Sequence, residues 1–135
     1  MIEQVDEGKF SGYDIKKKKN GNFRKDLAKG REQERLVMDV FNGDTFEVKS
    51  DYMAHTTGNI AIEVMSRGKD SGIRTTTSSH WVYKIVAADL IIVLTTSKLK
   101  DFVDANMDTY RVVMGGDSWT SKMLLIPIKD LILIK

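Results

Sequence analysis

The chain has 135 residues, with 21 lysines and arginines against 19 aspartates and glutamates, for a formal net charge of +2. It contains no cysteine and two histidines, which excludes disulfides, thiolate metal sites, cysteine nucleophiles and an all-histidine metal centre. No stretch is apolar and long enough to span a bilayer, so no membrane partner is expected.

Hydrophobic and charged fractions of 41% and 30% are those of an ordinary globular protein, and the length can bury a core within one domain. Any metal must be held mainly by carboxylates, which select hard cations such as Mg2+ or Mn2+. Residues 1–9 are acidic and polar, unlike a secretory leader, so a cytoplasmic location is expected. The near-neutral charge is unevenly spread. Lys9, Lys16, Lys17, Lys18, Lys19, Arg24, Lys25, Lys29 and Arg31 crowd the first quarter, opposed between residues 9 and 31 only by Asp14 and Asp26. The expected organisation is a basic, flexible arm over residues 1–22, with Lys16–Lys19 as phosphate contacts, ahead of a single domain over residues 23–135. A merely solvated tail is the plainer alternative for such a lysine run.

Residues 23–41 carry Leu27, Leu36, Val37, Val40 and Phe41 on one side of a 3.6-residue repeat, which predicts a helix stopped by Asn42-Gly43. Phe46, Val48 and Ser50 then alternate with Glu47, Lys49 and Asp51, the spacing of a strand. A polar connection over 52–58 leads to a second alternating run, with Ile60, Ile62 and Val64 on one face and Glu63, Met65 and Arg67 on the other. The two runs read as a β-hairpin with a core face and a chemical face. Residues 66–79 form a Gly/Ser/Thr-rich loop with room for one helical turn, and strands are expected over 80–86 and 88–94. A helix starts at Thr96 or Ser97, with Leu99, Phe102 and Val103 behind it. A short strand over 110–114, a turn at Gly115-Gly116-Asp117-Ser118 and a last strand over 122–128 complete the chain. Trp119 and Lys122 flank that turn and read as exposed residues, candidates for touching DNA. The fold class is α/β, a mixed sheet with an antiparallel hairpin flanked by a few helices.

The hairpin carries the chemistry. If Asp51 lies opposite Glu63, then Lys49 lies opposite Met65 and Glu47 opposite Arg67. Opposed residues share a face with Cβ atoms roughly 5 Å apart. Two carboxylates at that spacing can hold oxygen-seeking divalent cations, and a lysine beside them can stabilise charge developing on a phosphate. Glu34, one helical turn beyond Gly30, is the first choice for a completing helix carboxylate, and Glu32 the second. The implied reaction is metal-assisted phosphodiester hydrolysis.

A helix glutamate, a strand-end aspartate and a strand glutamate in this order resemble the PD-(D/E)xK nuclease superfamily. The stretches Phe46-Glu47-Val48-Lys49-Ser50-Asp51, Thr57-Gly58-Asn59-Ile60-Ala61-Ile62-Glu63 and Ser66-Arg67-Gly68-Lys69-Asp70-Ser71-Gly72-Ile73 are similar to small phage endonucleases and Holliday-junction-resolvase-like members of it. The resemblance spans residues 24–99. It implies a restriction-endonuclease-like core, an Mg2+-dependent endonuclease acting on DNA, and Glu34, Asp51, Glu63 and the backbone carbonyl of Val64 as metal ligands. By analogy with enzymes that cut both strands, it implies a homodimer. Met65 stands where the superfamily has its lysine. The hairpin register makes Lys49 the replacement. A rival alignment reads Glu47-Val48-Lys49 itself as the E-x-K element, but Asp44 is too close to supply the upstream aspartate.

Arg67, Lys69, Ser71 and Arg74 in the following loop are candidates for gripping DNA phosphates. His80, Trp81 and Tyr83 read as packing residues and His55 as solvent-facing. Two other classes compete with the nuclease. A nucleic-acid-binding module without catalysis would explain the basic arm and Met65, but gives no reason to set Asp51 and Glu63 against phosphates. A carboxylate-metal enzyme for small phosphate esters would not need the lysine arm.

Overall fold

The computed structural model of the protein describes residues 20–135, with side chains from residue 23. Lys16–Lys19 and most of the expected arm lie outside the described residues. These residues divide at Gly43 into a helical unit and a compact body, Asp44–Lys135.

Helix α1 runs Asn20–Phe41, 22 residues. Arg, Lys, Gln, Glu, Leu and Ala dominate it and favour helix, while Gly30 in its middle costs about 1 kcal/mol relative to alanine. Arg35 and Asp39, one turn apart, form an ion pair at 3.2 Å. Both side chains are exposed, so the pair contributes little.

In the compact body the elements are β1 (Phe46–Asp51), α2 (Ala54–Thr57), β2 (Asn59–Ser66), β3 (Lys69–Asp70), β4 (His80–Ile85), β5 (Leu90–Thr95), α3 (Thr96–Ala105), β6 (Val112–Gly115) and β7 (Ser121–Pro127). Short 3-10 turns occupy Gly72–Arg74, Asp117–Trp119 and Ile128–Leu133. The strands form two sheets, β1-β4-β5 and β3-β2-β7-β6. In the first, β1 runs parallel to β4 and β4 antiparallel to β5. The second is antiparallel throughout. The chain is therefore a mixed α/β protein. One hydrophobic core joins Ile60, Ile62 and Val64 of β2, Leu124 and Ile126 of β7, Trp81, Tyr83 and Ile85 of β4, and Leu99 and Val103 of α3. The buried hydroxyl of Tyr83 ties the sheets together by donating to the Ala61 carbonyl at 3.1 Å.

The β1–β2 hairpin does not form. The two strands belong to different sheets, so Asp51–Glu63, Lys49–Met65 and Glu47–Arg67 are not cross-strand pairs. Asp51 lies beside Ile85 and Lys49 beside Tyr83, while Glu63 lies opposite Met123 and Met65 opposite Lys122. The connection explains the change. Asp51 Oδ1 accepts the backbone N–H groups of Met53 (2.9 Å) and Ala54 (2.8 Å), which turns the chain into α2 rather than into a tight reversal. The face assignment of β1 is reversed as well. Phe46, Val48 and Ser50 are exposed, whereas Glu47, Lys49 and Asp51 are half-buried. The assignment for β2 holds, with Ile60, Ile62 and Val64 fully buried.

Two features shape the end of β2. Its register with β7 slips between Glu63 and Met65, so Val64 forms a β-bulge. Bulges re-aim neighbouring side chains and are common beside active sites. Beyond it, Arg67-Gly68, both with positive φ, make a two-residue hairpin turn into β3. That hairpin occupies part of the expected 66–79 loop.

Candidate active site

Between the sheets lies a cavity of about 190 Å3. Lys49, Ser50 and Asp51 reach it from β1, Ala61 and Glu63 from β2, Trp81 and Tyr83 from β4, and Met123 from β7. Three residues expected from the sequence to act together thus share one cavity, although the hairpin that was to unite them is absent. They arrive by a different route: β1 presents its polar face inward, and the bulge in β2 sits beside Glu63.

Each side chain is held. Asp51 ends β1, and its Oδ1 is fixed by the two N–H groups that open α2. Among the described residues, Oδ2 accepts no hydrogen bond. Glu63 Oε1 accepts the Ser71 hydroxyl at 2.5 Å, a short charge-assisted bond. Ser71 is therefore a buttress of Glu63 as well as a candidate phosphate contact, a role its place in a polar loop did not signal. The Ser71 backbone N–H also donates to the Val64 carbonyl at 3.1 Å, and a carbonyl keeps a second lone pair. Lys49 Nζ lies 2.7 Å from Glu47 Oε1 and 5.2 Å from the centroid of the Trp81 ring. The buried indole N–H of Trp81 has no hydrogen-bond acceptor among the described residues.

Glu47 shows how strongly Lys49 acts on its surroundings. Burial alone would raise its carboxyl, but hydrogen bonds from Lys49 and Thr76 and the charge of Lys49 outweigh it and hold the group below its ordinary 4.5. A depressed folded-state value means that the pair stabilises the fold above about pH 4.5 and that this contribution fades as pH falls through the folded value. In a Lys49→Met chain, NMR titration is expected to find Glu47 protonating at a higher pH than in the parent. An unmoved titration would assign the depression to Thr76 instead.

No family, curated protein or solved structure matches the chain.

Two carboxylates line the cavity, each with one oxygen fixed by the protein and the other unengaged, the kind of oxygen donor that hard divalent cations take; the Val64 carbonyl is not among the groups lining it. Among the described residues no group of three or more His, Asp or Glu side chains converges. Glu34 lies exposed on α1 beside Gln33, Val37 and Met38, and Glu32 is exposed on the same helix. Lys122, the residue opposite Met65, does not line the cavity.

The loop residues divide. Arg67 and Lys69 are exposed at the β2–β3 turn. Arg74 is engaged by acids, with Asp70 at 3.4 Å and Asp104 at 3.7 Å. His80 packs against Phe46 and lies 3.4 Å from Asp44, and His55 is exposed. Among the described residues no helix is long and apolar enough to cross a membrane.

Proposed function

We propose that the protein is a divalent-cation-dependent endodeoxyribonuclease related to the PD-(D/E)xK superfamily. The observation that carries this reading is the convergence of Lys49, Asp51 and Glu63, from two sheets, on one cavity. A carboxylate pair facing a phosphate is repulsive unless a cation lies between them, and the inward polar face of β1 has no packing role that apolar residues would not fill better.

Asp51 and Glu63, through their unengaged oxygens, would hold Mg2+ or Mn2+. Such an ion would supply Lewis acidity to the phosphate and acidify a water. Lys49 adds positive charge where the phosphate gains negative charge, and its three donors let it keep Glu47 while meeting a phosphate oxygen. The ring of Trp81 below it and Glu47 beside it fix the ammonium, so little reorganisation is needed as charge develops. Arg67, Lys69 and the basic Lys16–Lys19 run would follow the DNA backbone. A homodimer would place one such cavity on each strand.

The test is cleavage of supercoiled plasmid and of a four-way junction with Mg2+, Mn2+ or EDTA. Metal-dependent cutting supports the nuclease, and Lys49→Ala should remove it while calorimetry shows metal binding nearly intact. DNA binding without cutting in any metal would replace this reading with the inactive binding module that Met65 makes chemically reasonable.

A further inference from the structure

A second cavity, about 500 Å3, shares Glu63 with the first. The end of β2 and the turn after it give it Ser66 and Arg67, and the loop over 116–120 with the start of β7 gives it Asp117, Thr120 and Ser121. The two segments are clipped together, the Arg67 N–H donating to the Thr120 carbonyl at 3.0 Å. Arg67 takes its φ of 51° as part of the two-residue hairpin turn, whereas Ser118 and Trp119 adopt φ of 59 and 56° at consecutive positions, a region that side-chain-bearing residues occupy at a cost.

The strain has a visible product. Trp119 is 74% exposed, while the other tryptophan, Trp81, is buried in the core. A large indole held on a strained turn in water does nothing for folding, since its apolar face gains by burial. Trp119 stands in the chain between Asp117 and Thr120, which line the cavity, and that cavity is the wrong kind for a bare phosphate, because Asp117 would repel one. Asp117 instead suits the amino and imino N–H groups of a nucleobase. The Ser66 and Ser121 hydroxyls, 3.5 Å apart, can donate or accept.

We propose that this cavity receives an unpaired nucleotide next to the cleaved bond, its base stacked on Trp119 and its edge met by Asp117 and the serine hydroxyls. The substrate is then DNA with a locally unpaired base, because a base inside a duplex offers neither a free face nor a free Watson–Crick edge. Arg67, at the mouth, holds the adjoining phosphate. The inference rests on the nuclease reading for two points, DNA as the nucleic acid and the placement of the cleaved bond at Glu63.

Binding is measured in EDTA, where no cleavage occurs. The probes are two labelled duplexes of one sequence, one fully paired and one with a single unpaired thymine. Wild type is expected to bind the bulged duplex about tenfold more tightly, the scale of one base–aromatic stack. Its tryptophan emission should be quenched by the bulged duplex alone. Trp119→Ala should abolish both effects, Trp119→Phe should keep part of the preference, and Asp117→Asn should weaken it with the indole still present. Equal affinity of wild type for the two duplexes, or a preference unchanged in both Trp119→Ala and Asp117→Asn, overturns the proposal. A bulge preference without metal-dependent cleavage supports the base pocket and removes the nuclease. Cleavage of paired DNA without a bulge preference does the reverse.

Discussion

Asp51→Asn and Glu63→Gln chains are each expected to cleave DNA about 10^3-fold more slowly than the parent, or less, while melting within a few degrees of it. The size follows from losing a ligand charge that supports several kcal/mol of transition-state stabilisation. The mildness of the fold effect follows from the hydrogen bonds. The side-chain carbonyl of the introduced asparagine can still accept the N–H groups of Met53 and Ala54 that Asp51 accepts now. The carbonyl of the introduced glutamine can likewise still accept the Ser71 hydroxyl. Shape and acceptors persist and only the charge goes, so isothermal titration with Mn2+ should weaken alongside cleavage. Cleavage near the parental rate in both variants would make the two carboxylates ordinary wall residues. Full loss of cleavage with unchanged metal binding would move the cation elsewhere and leave Asp51 and Glu63 acting on water or substrate.

Why could the sequence name the residues of this cavity but not their arrangement? Local patterns were legible. The 3.6-residue repeat marks α1 to within three residues, the alternation in 46–51 and 59–66 marks β1 and β2, and Thr96 with Leu99 and Val103 marks α3. Pairing is not a local property. β1 finds its neighbour β4 about thirty residues on, in parallel, and nothing within 46–51 encodes that choice. The hairpin assumption also fixed the faces wrongly, because it sent Phe46 and Val48 inward on hydrophobicity alone. β1 inverts that rule: its charged side chains are half-buried, with Lys49 and Asp51 on the cavity, and its apolar ones face out. The identities Lys49, Asp51 and Glu63 survived the error because β1 and β2 both turn those faces to the gap between the sheets. The lysine missing at position 65 was expected across a hairpin. Lys49 instead enters from the other sheet, and the strand neighbour of Met65 is Lys122. Ser71 as the partner of Glu63 was beyond reach, since it depends on the bulge at Val64 and on how the 3-10 turn Gly72–Arg74 folds back.

That fold-back leaves Gly72 with less room for a side chain than any other described glycine. A Cβ placed on Gly72 would overlap the Glu63 carbonyl oxygen and lie 2.9 Å from both the Glu63 carbonyl carbon and its Cβ. The obstruction is backbone in a central strand, which cannot rotate away. Gly72 also has a φ of +59°, which alone costs an alanine about 1–2 kcal/mol. Gly72→Ala should therefore destabilise the compact body by about 3 kcal/mol or more and lower its melting temperature by about 12 °C or more. In the folded fraction it should push Glu63 away from Ser71 and from the cavity, so cleavage falls by more than the loss of folded protein explains. Gly68→Ala separates the two causes. Its φ is +77°, yet nothing lies within 4 Å of the new Cβ, so it carries the backbone strain without the collision. If Gly72→Ala melts and cleaves like Gly68→Ala, strain accounts for everything and the close approach does not position Glu63. A Gly72→Ala chain that loses both stability and cleavage, beside a Gly68→Ala chain that loses only a little stability, would place the control of the carboxylate in this contact between the 3-10 turn and the bulged strand.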